Sequence, residues 1–412
     1  MKNYLPIAAL LTSAAFLLAA NGLHGLLLPL RANGEGFSTT EIGLIGTGWA
    51  IGFVLSSLLT PLLVRRAGHI RAFAAFSATA AIIALVNALI VSPAAWMFLR
   101  GCSGFAMAGG MMVVESWLNE RSTNETRGSI FSIYMSVNFI SITGGQLLVA
   151  TDDPANDTLF MLASILFCLA VLPTALSTAA TPKPLTRVRL NITQLYRFSP
   201  VAVVSAILIG VINGAFGTLA PVFGSQSGLP ALLIAIMMGL TIMGGAITQI
   251  PIGRLSDRTD RRYVLAAGAI GACFTGVVIF TLRPSDPVQI LLLTALYGAL
   301  TYPLYSLTVA HANDFAASGD FVAISGGMLL LYGIGTMFGP ASASIAMAQF
   351  GPAGLFSVTA SAHFIMAGHA IYRTMRRRPV PENERETFAA FPAQKALTPE
   401  TAALDPRADE PQ

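Results

Sequence analysis

The feature that most constrains this 412-residue chain is a succession of twelve apolar runs, at about 5–30, 42–64, 72–91, 95–118, 129–150, 159–178, 200–222, 231–252, 264–282, 288–310, 322–346 and 353–373. A helix crossing about 30 Å of hydrocarbon needs roughly 20 apolar residues. In lipid a spanning segment must satisfy its own backbone hydrogen bonds, so runs of this length predict helices. Charge supports that reading. Only 11% of the residues are charged and 54% are hydrophobic, whereas a soluble domain carries about 25% charged residues. Too few charges remain to build a water-facing surface. The expected fold is all-α, with twelve transmembrane helices.

The first run raises the possibility of a cleaved leader, because Lys2 precedes it and Leu18-Ala19-Ala20 lies within it. The run continues past Asn21 to Leu30, however, and its pattern returns later in the chain. It is therefore expected to be a retained helix. Cys102, Cys168 and Cys273 each lie inside an apolar run and form neither a disulfide framework nor a ligand cluster.

The longest internal polar break runs from Thr181 to Ser199 and carries Lys183, Arg187, Arg189 and Arg197. It divides the chain into a six-helix bundle over 1–178, a linker over 179–199 and a second six-helix bundle over 200–376. The Pro-rich, charged residues 377–412 are expected to be a disordered tail. Orientation follows from Lys and Arg. Of the 24 such residues, 21 fall on the side that holds both termini and two, Arg31 and Arg283, on the other; Arg100 lies within the fourth run. A miscounted helix would scramble this alternation. Both termini are expected in the cytoplasm and the chain in the inner (plasma) membrane, in contact with lipid. The net charge of +4 is explained by this placement and does not point to nucleic acid. Ser38-Thr39-Thr40-Glu41 fits a capping box before the second run, so Glu41 is expected to be a cap.

The halves are copies. Asn21-Gly22-Leu23-His24-Gly25, followed by Pro29, returns as Asn213-Gly214-Ala215-Phe216-Gly217, followed by Pro221, at an offset of 192 residues. Arg66 and Arg258 keep the same offset, and Asn119-Glu120 is echoed by Asn313-Asp314 at 194. Six helices separate the copies, so both insert in the same orientation. Parallel repeats of this kind build membrane carriers in which two bundles face a central cavity.

The strongest motif follows the eighth run: Gly253-Arg254-Leu255-Ser256-Asp257-Arg258-Thr259-Asp260-Arg261-Arg262. Gly253 would permit close approach of a neighbouring helix. Asp257 could accept charge-assisted hydrogen bonds. Contacts that form in one conformation and break in another make a gate. This segment resembles the loop signature of the major facilitator superfamily, G-x-x-x-D-R-x-G-R-[KR]. Gly253, Asp257, Arg258, Arg261 and Arg262 match it, and Asp260 stands where Gly is usual. The first-half copy is degraded, with Pro61 in place of the Gly and Arg65 in place of the acid. Val114-Glu115-Ser116-Trp117-Leu118-Asn119-Glu120, Tyr302-Pro303-Leu304-Tyr305, Ala310-His311-Ala312-Asn313-Asp314 and Tyr332-Gly333-Ile334-Gly335, then Gly339-Pro340, resemble the YcaD-like branch. The resemblance covers about the first 376 residues.

The fourth run carries the clear intramembrane charges. Arg100, Gly104, Ala108, Met111 and Glu115 form one helical stripe, which should face the bundle interior or a wet cavity. Arg100 and Glu115 stand about 22 Å apart along the axis and cannot pair. Arg100 with Gly104 resembles the superfamily's fourth-helix Arg motif, which implies proton coupling or anion binding. Glu115 is either a proton site or a helix-end partner for loop arginines. Tyr134, Asn138, Ser141 and Gly145 form a polar stripe on the fifth run, lining a cavity or bonding across helices. The superfamily's first and seventh helices line its cavity, so Asn21, His24 and Asn213 are candidate substrate contacts, joined by Asn138 and Arg100; His24 could equally be a satisfied interhelical His.

The sequence contains no H-E-x-x-H, no phosphate loop with Lys and no Ser elbow. It predicts no enzyme, no resident cofactor and no metal site. The expectation is a monomeric secondary transporter of a small molecule, powered by an ion gradient, with protons as the coupling partner, or by the substrate gradient, and working by rocking of two bundles. The alternative is a sensor or assembly partner that keeps the fold, favoured only by the degraded first-half loop. Neither substrate nor direction, export or import, is legible.

Overall fold

The computed structural model describes residues 5–123, 126–176, 192–314 and 321–376, together with Phe388, Thr398 and Thr401. Among them, fourteen α-helices supply twelve stretches long and apolar enough to cross a membrane. These are α1 (Leu5–Gly34), α2 (Thr39–Ala67), α3 (His69–Leu89), α4 (Pro93–Arg121), α5 (Arg127–Leu147), α6 (Thr158–Ala175), α8 (Pro200–Gln226), α9 (Ala231–Arg258), α10 (Arg261–Leu282), α11 (Pro287–Thr301) with α12 (Pro303–Asn313), α13 (Phe321–Phe350) and α14 (Gly354–Arg376). The short α7 (Ile192–Phe198) precedes α8 within the expected linker. The tenth stretch is two helices because Pro303 has no N–H to continue the ladder at Tyr302. The capping box forms as expected: Ser38 N–H donates to Glu41 Oε2 (2.8 Å), and Glu41 N–H donates to Ser38 Oγ (3.3 Å).

The chain forms two compact units. The first comprises Met1–Phe37, Gly48–Arg189 and Ala396–Gln412. The second comprises Ser38–Thr47 and Leu190–Lys395. The opening turns of α2 join the second unit, where the Thr47 hydroxyl donates to the Met337 carbonyl on α13 (3.0 Å). Thr398 and Thr401 of the tail join the first. Most of residues 377–412, expected to be disordered, lie outside the described residues; at Phe388, Thr398 and Thr401 the tail is bonded to the helices.

Inside each unit the repeat reappears as helix crossings. In the first unit, a Cβ on Gly22 would strike the Ile142 carbonyl of α5, and one on Gly145 would strike the Ala19 carbonyl of α1. In the second, a Cβ on Gly214 would meet Thr336 on α13, and one on Gly339 the Val211 carbonyl of α8. The same correspondence links Gly52 against Gly101 and Gly104 against Trp49 with Gly244 against Ala295 and Gly298 against Thr241. Lipid provides no hydrophobic drive between helices, so close backbone approach at small residues holds the bundles together. The Gly-Pro segment at Gly339-Pro340 takes part in this packing. The repeated N-G-x-x-G therefore marks a packing register first.

Candidate functional site

His24 sits at 0% exposure in the core of the first unit. Its ring is edge-on to Phe160 and Phe167 of α6. Nε2 lies 3.0 Å from the Asn87 amide of α3, and Nδ1 lies 3.3 Å from Arg100 NH1 of α4. A guanidinium only donates, so Nδ1 must accept and Nε2 must carry the proton. Asn87 then presents its oxygen to the ring, which also satisfies an amide oxygen otherwise lacking a partner. Arg100 is buried, and its guanidinium carbon stands 5.9 Å from the Trp49 ring centroid. Among the described residues no carboxylate forms an ion pair with it. Gly25 keeps the helix next to it slim, since a Cβ there would lie 3.7 Å from Arg100 NH2. Of the candidates on α1, His24 thus joins Arg100, whereas Asn21 is half-buried one turn away.

Glu115 lies at the other end of α4, also at 0% exposure. The Tyr134 hydroxyl of α5 donates to its Oε1 (2.8 Å), and Asn138 flanks the same hydroxyl one turn on. The polar stripe of α5 therefore bonds across helices at Tyr134 and packs against α1 at Gly145. Two further hydroxyls reach the carboxylate from the tail: Thr401 donates to Oε1 (2.8 Å) and Thr398 to Oε2.

In the second unit, Asn213 on α8 lies beside the Tyr332 hydroxyl of α13. The Tyr332 ring is 5.1 Å from that of Tyr305 on α12. Gln249 on α9 donates to the Ser306 hydroxyl (2.5 Å). The Tyr305 hydroxyl is buried with no hydrogen-bond partner among the described residues, which leaves a donor for a ligand. In the same unit Phe216, the repeat mate of His24, stacks on Tyr297. His363 of α14 lies edge-on to Tyr297, with Nδ1 2.7 Å from the Thr359 carbonyl and Nε2 3.4 Å from the Thr301 hydroxyl. Tyr305, Tyr332 and Gln249 were missed as site candidates. Their spacing on separate helices carries no local signal; only Tyr305 and Tyr332 stood in segments that the sequence singled out.

The loop motif, which runs from the last turns of α9 into the first of α10, closes on itself. Arg261 is almost fully buried; its Nε donates to Asp314 Oδ2 (2.9 Å), NH2 lies 3.2 Å from Asp257 Oδ1, and NH1 donates to the Ser256 hydroxyl (3.3 Å). Asp260, where Gly is usual, caps α10 by accepting from Arg262 N–H (3.0 Å) and also pairs with the Arg262 guanidinium (2.7 Å). Burial pushes the Asp260 carboxyl upward, but the Arg262 bonds outweigh it and hold the group below its ordinary value. Arg262 further donates to the Arg373 carbonyl at the end of α14 (3.0 Å). Arg258 is exposed. Gly253 does permit a close approach, but from the Phe388 ring, where a neighbouring helix was expected. Asp314, noted in the sequence only as a repeat marker, is the main buried partner of the motif.

Comparison with known proteins places this architecture. The model of the Major Facilitator Superfamily matches residues 10–250 and 234–406. The uncharacterised MFS-type transporter YcaD of Escherichia fergusonii is 26% identical over 362 residues, covering 87% of this chain and 94% of that protein. YcaD of Escherichia coli O17:K52:H18 is 26% identical over 364 residues, with the same coverage. Among solved structures, the nucleoside transporter NupG superposes with a TM-score of 0.75 at 12% identity, covering 89% of this chain and 98% of that one. An auto-inhibited POT family peptide transporter superposes with a TM-score of 0.72 at 14% identity, covering 95% and 99%. Those two likenesses speak for the fold alone. Twelve spans, a parallel repeat, the loop signature and the family match agree: this chain belongs to the major facilitator superfamily, in its YcaD-like branch of membrane transporters.

Proposed function

We propose that this transporter is a secondary carrier for a small molecule bearing an anionic group, held by Arg100 in the first unit, with Asn213 and the Tyr305–Tyr332 pair as candidate substrate contacts within the second. The observation that carries this reading is the buried Arg100 guanidinium, which has no carboxylate paired to it among the described residues. A buried charge normally comes with a counter-charge, and a bound anion supplies one. His24 and Asn87 orient the guanidinium from behind. Glu115, a buried carboxylate bonded by hydroxyls, is the candidate proton carrier. Alternating access would come from rocking of two bundles, with Gly253, Asp257, Arg258, Arg261 and Arg262 in the loop that gates it. The Lys and Arg distribution supports an inner-membrane location with cytoplasmic termini. The proposed unit of function is a monomer in lipid.

The test is a thermal-shift screen of detergent-purified protein against anionic, cationic and neutral metabolites. A ligand at 100 times its Kd stabilises by about 2.7 kcal/mol. Stabilisation by an anionic class, lost in Arg100→Met, is expected. Hits confined to cations, or shifts that persist in Arg100→Met, would refute the assignment. Proton coupling is tested separately, in proteoliposomes, by uptake of the identified ligand with and without a pH gradient; gradient-independent flux excludes it.

A further inference from the structure

Two carboxylates singled out by the sequence for different reasons, Glu115 and Asp257, are both engaged by the C-terminal tail. At Glu115 two of the three hydroxyl donors named above come from the tail. They arrive from one turn closed by bonds between the two threonines. Thr398 N–H donates to Thr401 Oγ1 (3.1 Å), and Thr401 N–H donates to the Thr398 carbonyl (3.0 Å). That turn aims both hydroxyls at one carboxylate, and both threonines are at 0% exposure. In the second unit, Phe388 N–H donates to Asp257 (3.2 Å to Oδ1), and its ring fills the space left open by Gly253. Hydrogen bonds to an ionised group are the strong kind, and a tethered ligand needs little intrinsic affinity because its effective concentration is in the millimolar range.

We propose that the C-terminal tail is an internal ligand of this transporter: Thr398 and Thr401 occupy the Glu115 site, and Phe388 occupies the Asp257–Gly253 site. Docked, Thr398 and Thr401 hold Glu115 as an acceptor whose lone pairs are taken by their hydroxyls, and Phe388 N–H bonds the acid of the loop motif. Any proton or hydroxylated ligand that reaches Glu115 must displace the tail, so the tail is an autoinhibitory element. That consequence rests on the reading of Glu115 as a proton carrier; the docking itself does not.

The experiment uses full-length protein in detergent or nanodiscs, as wild type, Thr398→Val/Thr401→Val, Thr398→Ser/Thr401→Ser and Phe388→Ala. Two quantities are read by mass spectrometry: hydrogen exchange of the tail amides, and carbodiimide labelling of Glu115. The Val pair removes both hydroxyls at nearly constant volume, and Ser keeps them. Tail exchange in the Val pair should rise by about tenfold or more per hydroxyl removed, with Glu115 labelling rising in step. The Ser pair should match wild type, and Phe388→Ala should loosen the tail around 388. If the Val pair does not fold, excess synthetic peptide covering residues 392–405 is added to wild type. It should release the tethered tail, and its Val version should not. Wild-type tail exchange at the free-peptide rate, a Val pair that behaves as wild type, or a Ser pair as disruptive as Val would each overturn the proposal. Tail protection that stands while flux proves independent of a pH gradient would remove the proton role of Glu115 and leave the docking intact.

Discussion

Replacing Arg261 by Met takes the nearest cation from Asp314, and the structure gives the size of the effect. The Arg261 side chain is 1% exposed and that of Asp314 2%, with Nε to Oδ2 at 2.9 Å. The second partner, Asp257, is 33% exposed, so solvent screens that arm to at most about 1 kcal/mol. Opposite charges about 4 Å apart attract by about 4 kcal/mol at an effective dielectric of 20, but dehydrating both ions costs a comparable amount. The pair as a whole is therefore worth little net. Removing one partner of a buried pair costs about 3 to 5 kcal/mol, the low end applying here because His311 Nδ1 also lies 3.9 Å from Asp314 Oδ2. Arg261→Met should thus be severely destabilised, Asp257→Asn by about 1 kcal/mol or less, and Arg261→Met/Asp314→Leu should recover much of the loss. A double-mutant cycle on unfolding in mixed micelles measures the coupling. A coupling below about 1 kcal/mol, or an Asp257→Asn penalty equal to that of Arg261→Met, would refute the view of Asp314 as the buried anchor of the loop.

Gly145→Ala should cost about 1 to 3 kcal/mol, because its Cβ meets the Ala19 carbonyl, whereas Gly144→Ala, with open space around it, should be neutral or gain about 0.5 to 1 kcal/mol from helix propensity; micelle unfolding of the two variants decides. Gly339→Ala should repeat the Gly145 penalty in the second unit, since its Cβ meets the Val211 carbonyl. The Asp260 carboxyl is held below its ordinary value, so its contribution is full above the unfolded value of about 3.9 and is lost as pH falls through the lower folded value. The midpoint of thermal unfolding between pH 6 and 3 should fall less steeply on the acid side in Asp260→Asn than in the wild type; equal slopes would show that Asp260 is not linked to folding.

The membrane character, the number of spans and the twofold repeat were legible in the sequence because each depends on properties that act along the chain. Hydropathy must persist for the thickness of a bilayer, and small residues recur wherever the two copies make the same crossing. The loop signature was legible for a similar reason, its residues being contiguous, and the capping box at Ser38 and Glu41 closes within four residues. What the tertiary structure decided is which polar groups meet. His24 shares a face with Asn21 in sequence, yet it turns to Asn87 and Arg100, which stand on two other helices. Glu115 could be read as a proton site or a partner for loop arginines, and its carboxylate receives hydroxyls from Tyr134 nearby and from Thr398 and Thr401, 283 and 286 positions away. Burial in a low-dielectric interior makes such bonds obligatory, but pairing across hundreds of residues leaves no periodicity to read. Only the folding of the chain brings those atoms within hydrogen-bonding distance.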